Sequence, residues 1–160
     1  MFLLFAAGIT AQAQKFALID TEYILKNIPA YQNATEQLNQ ATKQWQDEVE
    51  KLSKEAKSLF DSYQAAIKTL SDAQKAKREE EIVAKEKSAA ELRRKYFGPE
   101  GELFKKREEL MQPIQDAIYD AVKEIAVQEG YAVVVDRATA SSIIFASPSI
   151  DISNEVLAEL

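Results

Sequence analysis

The longest pattern in the chain is a run of apolar residues that recur every three or four positions after Tyr31. This spacing places a narrow apolar stripe along one face of an α-helix, while charged and amide side chains cover the other faces. A helix from Tyr31 to Lys68 would be about 57 Å long at 1.5 Å per residue, longer than a small domain is wide. The stripe consists of Ala34, Leu38, Ala41, Trp45, Val49, Leu52, Ala56, Leu59, Tyr63, Ile67 and Leu70.

A helix start follows directly after the end of this stripe. Ser71 and Gln74 have the spacing of a capping box, in which the Ser71 hydroxyl accepts from the Gln74 backbone N–H and the Gln74 side chain reaches back to Ser71. The chain therefore reverses near residues 69–71, and a second helix runs from Asp72 toward Gly130. We predict an antiparallel helical hairpin.

The segment YFGPEGELF interrupts the second helix at residues 96–104. Folding the hairpin at its tip places Gly98 opposite Trp45 on an unbroken helix, so a linker between two domains is a poor explanation. Gly98, Pro99 and Gly101 instead indicate a hinge or bulge within one arm. Trp45 either fills the space opposite the break or is an ordinary residue of the helical seam.

Short apolar runs near both ends of the chain indicate strands. These runs are Phe16–Ile19, Tyr131–Val135 and Ser142–Ala146, and Gly130 has the position of a residue that ends the second helix. Three strands from the two chain ends would meet at the base of the hairpin and form one sheet with apolar residues on both faces.

Such a sheet needs cover on both faces, whereas the stripe of the hairpin lies mostly far from it. Apolar faces and unpaired edges cause aggregation unless they are paired, so we expect self-association that closes the sheet. A core within one chain is the alternative. The candidate residues for a shared core are Phe16, Leu18, Val133, Val135, Ile144 and Phe145.

The first residues, MFLLFAAGITAQAQ, contain no charged side chain and begin with an apolar run. Ala11-Gln12-Ala13 resembles a signal peptidase site, so we interpret residues 1–13 as a secretory signal, although its usual basic residues are missing. A short apolar strand or helix is the alternative. Residues 14–160 then form a single chain, with a body of residues 15–30 and 112–160 and an arm of residues 31–111.

Composition argues against catalysis. The chain has 160 residues, no His, no Cys and a net charge of −6. Imidazole bases, thiolates, disulfides and most zinc sites are thereby excluded, and the four glycines cannot form a phosphate-binding loop. Asp20 and Asp136 at the strand ends could serve a hydrolase, but strand termination and helix capping explain them better. We predict no enzyme activity, no cofactor, no metal and no nucleic-acid partner.

The order of several segments is distinctive: KFALID, then the long hairpin, then EGYAVVVD, SIIFAS and DISNEVL. With the returning arm FGPEGELFKKREELMQPIQDAIYDAVKEIA, this order resembles the Skp/OmpH family of periplasmic chaperones. The resemblance covers nearly all of the chain after residue 13. It implies a periplasmic homotrimer with a small β-barrel body and three helical arms. The arms of such a trimer enclose unfolded outer-membrane proteins without ATP.

The charge distribution departs from the basic character of the best-studied kind of member. Residues 31–97 carry 13 Lys and Arg against 12 Asp and Glu, whereas residues 98–160 carry 5 against 12. The arm is nearly neutral and the base is acidic, which speaks against attraction to acidic clients, a membrane surface or lipopolysaccharide. Client contact would instead depend on Phe60, Tyr63 and Ile67, for which the hairpin seam is the alternative location.

We therefore predict a mainly α protein with a small β body. A long antiparallel helical hairpin, a coiled-coil arm, stands on a short-stranded sheet that closes into a barrel by trimerisation. The predicted function is an ATP-independent periplasmic holdase that binds unfolded outer-membrane β-barrel proteins between its arms and prevents their aggregation. A secreted coiled-coil structural or adaptor protein of the cell envelope, with one folded partner, is the alternative.

Overall fold

A computed structural model describes residues 14–160, and the predicted signal in residues 1–13 lies outside these described residues. The described chain divides into two compact units. We call residues 14–29 and 115–160 the base, and residues 30–114 the arm. The helices and strands, in order, are β1 (Lys15–Ile19), α1 (Thr21–Asn27), α2 (Pro29–Ala66), α3 (Asp72–Phe97), α4 (Glu102–Glu129), β2 (Tyr131–Asp136), a 3-10 turn (Pro148–Ile150) and α5 (Ser153–Glu159).

The arm contains the predicted helical hairpin. α2 has 38 residues, which gives about 57 Å at 1.5 Å per residue. α3 begins with the capping box of Ser71 and Gln74, and both of its reciprocal hydrogen bonds are formed. The buried residues Val49, Ala56 and Tyr63 of α2 recur every seven positions, as do Ile82, Ala89 and Tyr96 of α3. This period is the spacing of a coiled-coil seam.

The sheet of the base has two parallel strands. β1 pairs with β2 in a register that places Phe16 beside Val133 and Leu18 beside Val135. Gly130 precedes β2 with φ of 73°, a conformation that favours glycine, and this confirms its predicted role at the end of the helix.

The predicted third strand, Ser142–Ala146, was wrong. These residues form no strand, and Ile144 and Phe145 are irregular in structure. The free edge of β1 is occupied by Asp151 instead, which forms a bridge with Leu18, and the Ile152 N–H donates to the Leu18 carbonyl at 2.9 Å. Because β1 is thereby bonded on both sides, the apolar run has no edge of β1 to pair with.

The core of the base lies where β1, α1 and α5 pack. Ala17, Ile24 and Val156 are completely buried, and Ile118 and Ile125 of α4 are nearly so. Burying a side chain of the size of Ile or Val stabilises a fold by about 1.5–3 kcal/mol. The two ends of the described chain are therefore joined by one apolar core.

Candidate functional surfaces

One face of the base sheet carries the exposed apolar residues. Phe16 and Val133 are neighbours across the two strands and are 53% and 46% exposed. Leu18 and Val135 lie on the same face, two residues further along each strand, where Leu18 is buried and Val135 is half-buried. The other face presents Ala17, which is fully buried. The parallel register therefore gathers four of the predicted core residues on one face.

The other two predicted core residues follow β2 in the chain. Ile144 and Phe145 are 100% and 85% exposed, the highest values among the large apolar residues that the structure describes. Exposing two such side chains to water in succession is unfavourable, so this segment is a second candidate contact surface of the base.

A polar cluster holds the carboxyl ends of the strands. Asp136 accepts hydrogen bonds from the Thr21 backbone N–H at 3.1 Å and the Thr21 hydroxyl at 2.7 Å, and it also bonds Ala138 and Thr139. Burial raises the pKa of Asp136, but these hydrogen bonds together outweigh it, and its pKa lies below the usual value. Asp136 therefore connects the end of β2 to the start of α1.

Arg137 joins two further carboxylates of this cluster. Its guanidinium contacts Asp20 at 3.0 Å and Asp151 at 3.4 Å. Asp20 caps α1 by accepting a hydrogen bond from the Tyr23 N–H, and this bond lowers the pKa of Asp20. Burial raises that pKa, and the hydrogen bond and charge of Arg137 lower it further. The Ser153 hydroxyl accepts from the Asp20 N–H and donates to Asp151. These carboxylates have structural partners, and in residues 14–160 no cluster of His, Cys, Asp or Glu is suited to a metal ion.

Three contacts cross the arm between α2 and α3 and fix its register. The Tyr63 hydroxyl donates to Glu79 nearest the tip, and Lys85 pairs with Glu55 at 2.8 Å. Farther from the tip, the Tyr96 hydroxyl donates to Glu48. The partners are nearly equidistant from residues 70–71, as an antiparallel hairpin requires.

The three residues predicted for client contact have different environments. Phe60 is 46% exposed and lines a shallow groove with Ala56, Ala89 and Ala90. Tyr63 is buried in the seam and bonded to Glu79, and Ile67 is half-buried in the turn after α2. Of the three, Phe60 presents the largest apolar surface to solvent.

The predicted interruption separates α3 from α4. Gly98 follows the last residue of α3, and its N–H donates to the Arg94 carbonyl at 2.8 Å. Opposite it, the Trp45 ring stacks on Tyr96 with ring centroids 5.2 Å apart. Tyr96 is itself a residue of the helical seam, so the stack places Trp45 at the seam, beside the last turn of α3 before the interruption.

Two sets of side-chain contacts were not predicted from the sequence. The bonds of Tyr63 and Tyr96 across the arm could have been anticipated, because each Tyr lies on the seam and faces a Glu in the mirrored position. The pairing of Arg137 with Asp20 and Asp151 had no such signal, because the three residues are distant in sequence and meet only through the parallel sheet.

A family model for "Outer membrane protein (OmpH-like)" matches residues 15–160. The chain belongs to this family. It is also 25% identical over 158 residues to the chaperone protein Skp of Yersinia enterocolitica, covering 99% of this chain and 93% of that protein. The chaperone protein Skp of Photorhabdus luminescens is 28% identical over 139 residues, which cover 84% of this chain and 79% of that one.

A solved structure supports the same fold for this OmpH-like chain. The crystal structure of a putative outer membrane chaperone (OmpH-like) from Caulobacter crescentus matches it with a TM-score of 0.75. The match covers 98% of this chain and 89% of that one at 12% sequence identity. Within the part of the chain that the structure describes, no helix is both long and apolar enough to cross a membrane.

Proposed function

We propose that this OmpH-like chain is an ATP-independent, non-enzymatic holdase that binds unfolded outer-membrane β-barrel proteins and prevents their aggregation. The active form is a homotrimer, in which the base strands of three copies close a barrel and the arms surround the client. Family membership supports the chaperone class. The exposed apolar face of the base sheet is the observation that supports this assembly.

Phe16 and Val133 on this face, together with Ile144 and Phe145, expose large apolar side chains in one copy of the base. Burying such side chains between copies would contribute about 25 cal/mol per Å² of apolar surface removed from water. Association of the sheets would also pair the outer edge of β2. Association through these surfaces is therefore favoured over leaving them exposed to water, and a trimer is the assembly that we propose.

Client contact in this proposal occurs along the arms, where Phe60 and its groove present apolar surface. The arm carries nearly balanced charge, so client binding rests on apolar contact more than on long-range attraction. For the same reason we expect little binding to lipopolysaccharide or an anionic membrane. Bending at Gly98, Pro99 and Gly101 would adapt the arm to clients of different size.

The proposed location is the periplasm, reached through a signal in residues 1–13. N-terminal sequencing of the protein from a periplasmic fraction tests this proposal. A mature chain that begins near Gln14 or Lys15 is the expected result, and an uncleaved chain recovered from the cytoplasm would contradict it.

Light scattering tests the holdase activity. An unfolded porin is diluted from urea into buffer with an equimolar amount of the trimer and no nucleotide. We expect the scattering to be suppressed, and aggregation at a several-fold excess of the chain would overturn the proposal. A pull-down from periplasmic extract separates this function from an adaptor role, because a holdase captures many unfolded clients, whereas an adaptor captures one folded partner at fixed stoichiometry.

A further inference from the structure

The interruption at residues 98–101 is a bonded, ordered segment of backbone. The Gly98 N–H donates to the Arg94 carbonyl at 2.8 Å, the Gly101 N–H donates to the Gly98 carbonyl at 2.9 Å, and the Lys105 N–H donates to the Gly101 carbonyl at 3.1 Å. Helical bonding is therefore resumed within one turn on each side. A loose connection would leave these N–H groups to water.

The two glycines are needed because backbone atoms approach them closely. A Cβ placed on Gly101 would lie 2.7 Å from the Tyr96 carbonyl oxygen and 2.8 Å from that of Lys95. A Cβ on Gly98 would lie 2.4 Å from the Arg94 carbonyl oxygen. Gly101 is also buried. The interruption is thus packed tightly against the last turn of α3.

Tyr96 connects this packed segment to the unbroken helix α2. Its backbone carbonyl, with that of Lys95, is what an added Cβ on Gly101 would meet. Its ring stacks on Trp45 with ring centroids 5.2 Å apart and 14° between the ring planes. The hydroxyl of Tyr96 donates to Glu48. The rings of Tyr96 and Phe97 pack edge-to-face, with ring centroids 6.3 Å apart. Stacked aromatic pairs and hydrogen bonds to a carboxylate are among the stronger contacts between two helices.

We propose that Trp45, Tyr96 and Glu48 form a latch that holds the interruption closed, so that the arm bends at Gly98–Gly101 only when Tyr96 separates from Trp45. The latch gives the arm one defined resting shape, and the glycines supply the backbone freedom once it opens. Its purpose rests on the proposed chaperone function. Its test uses the chain without any client, so failure of the latch and failure of the holdase proposal are distinguishable.

Distances between two spin labels measure bending directly. The chain contains no cysteine, so Ser88→Cys and Glu108→Cys introduce the only labelling sites, both at exposed positions on either side of the interruption. Twenty helical residues correspond to a separation of about 30 Å, which suits pulsed electron paramagnetic resonance. Dilution with unlabelled chain removes distances between copies.

Four variants separate the latch from general loosening of the hairpin. Trp45→Ala removes the ring stack, and Tyr96→Phe removes only the bond to Glu48. Tyr63→Phe is the matched control, because it removes the same kind of Tyr–Glu bond elsewhere in the arm. If Trp45→Ala loses helix content, the same measurements are made on Trp45→Phe, which retains an aromatic ring.

We expect a narrow distance distribution in the parent chain and in Tyr63→Phe, a broader one in Tyr96→Phe and the broadest in Trp45→Ala. Amide hydrogen exchange at Gly101 and Lys105 should accelerate several-fold in the same order. A broad distribution in the parent chain would overturn the proposal, because the interruption would then be unlatched. Unchanged distances and exchange in Trp45→Ala and Tyr96→Phe, or equal effects of Tyr63→Phe and Tyr96→Phe, would also overturn it.

Discussion

Replacing Asp136 by Ala removes the carboxylate that joins β2 to α1. Its bonds from the Thr21 N–H at 3.1 Å and the Thr21 hydroxyl at 2.7 Å cross between these elements, whereas those from Ala138 and Thr139 are local. A hydrogen bond to a charged group contributes about 1.5–3 kcal/mol. The site is half-buried, so the lower end of this range applies, and the two bonds from Thr21 together give about 3 kcal/mol.

A loss of this size should lower the melting temperature of a chain of this length by about 6–12 °C. Circular dichroism on heating measures it, at one fixed protein concentration because assembly also stabilises the fold. Asp136→Asn should lower the melting temperature by about half as much as Asp136→Ala. Its amide oxygen still accepts one of the two bonds from Thr21, whereas its amide nitrogen cannot accept the other. Asp120→Ala, at an exposed position on α4, is the control.

A double-mutant cycle isolates the contact itself. Thr21→Val removes the hydroxyl from the same pair, so its effect should be largely absent when Asp136 is already Ala. We expect a coupling free energy of about 1 kcal/mol or more. If Asp136→Ala melts within a degree or so of Asp120→Ala, or if the two changes are additive, the interpretation of this cluster is refuted.

The remaining predictions concern pH, assembly and the tip of the arm. The pKa values of Asp20 and Asp136 are lowered in the folded chain, so their contribution to stability is complete above the ordinary Asp pKa of about 4. This contribution is lost as the pH falls through the folded-state pKa values, and urea unfolding across this pH range should show the loss of stability. Val133→Asp and Phe145→Asp should each shift the trimer toward monomer in sedimentation equilibrium without loss of helix content. An intact trimer in both would exclude the sheet face and the segment of Phe145 from the interface. Ser71→Ala should destabilise the arm by about 1 kcal/mol, measured by urea unfolding of its helices, and no change would mean that the capping box is dispensable.

Features that depend on neighbouring residues could be predicted from the sequence. The Ser71 capping box and the end of a helix before Gly130 each follow from local backbone chemistry, and the structure contains both. The apolar stripe likewise indicated the seam that Val49 occupies. Hydrogen bonding and side-chain spacing within a few residues determine these features, so one sequence is sufficient.

Features that depend on the partner of a strand could not be predicted in this way. The run around Ile144 and Phe145 has the composition of a strand, but composition does not determine whether it pairs with a strand edge of the fold. Asp151 occupies the second edge of β1, and nothing in the local sequence indicates it. The same parallel arrangement brings Arg137 to Asp20, which is why this ion pair became apparent only in the structure.

The interruption of the arm lies between these two cases. Gly98, Pro99 and Gly101 predicted a break at the correct place, because helix-breaking residues act locally. Their sequence alone indicated a hinge or bulge. The close approach of the Tyr96 carbonyl to Gly101 instead shows that an added Cβ would disturb a packed contact.

Sedimentation velocity of the mature chain, mixed with a fluorescently labelled unfolded porin and no nucleotide, tests the central proposal most directly. Absorbance reports the chain, and fluorescence reports the client in the same cell. We expect the labelled porin to sediment as one soluble complex with three copies of the chain. A monomeric chain beside an aggregated porin would contradict both the assembly and the holdase function.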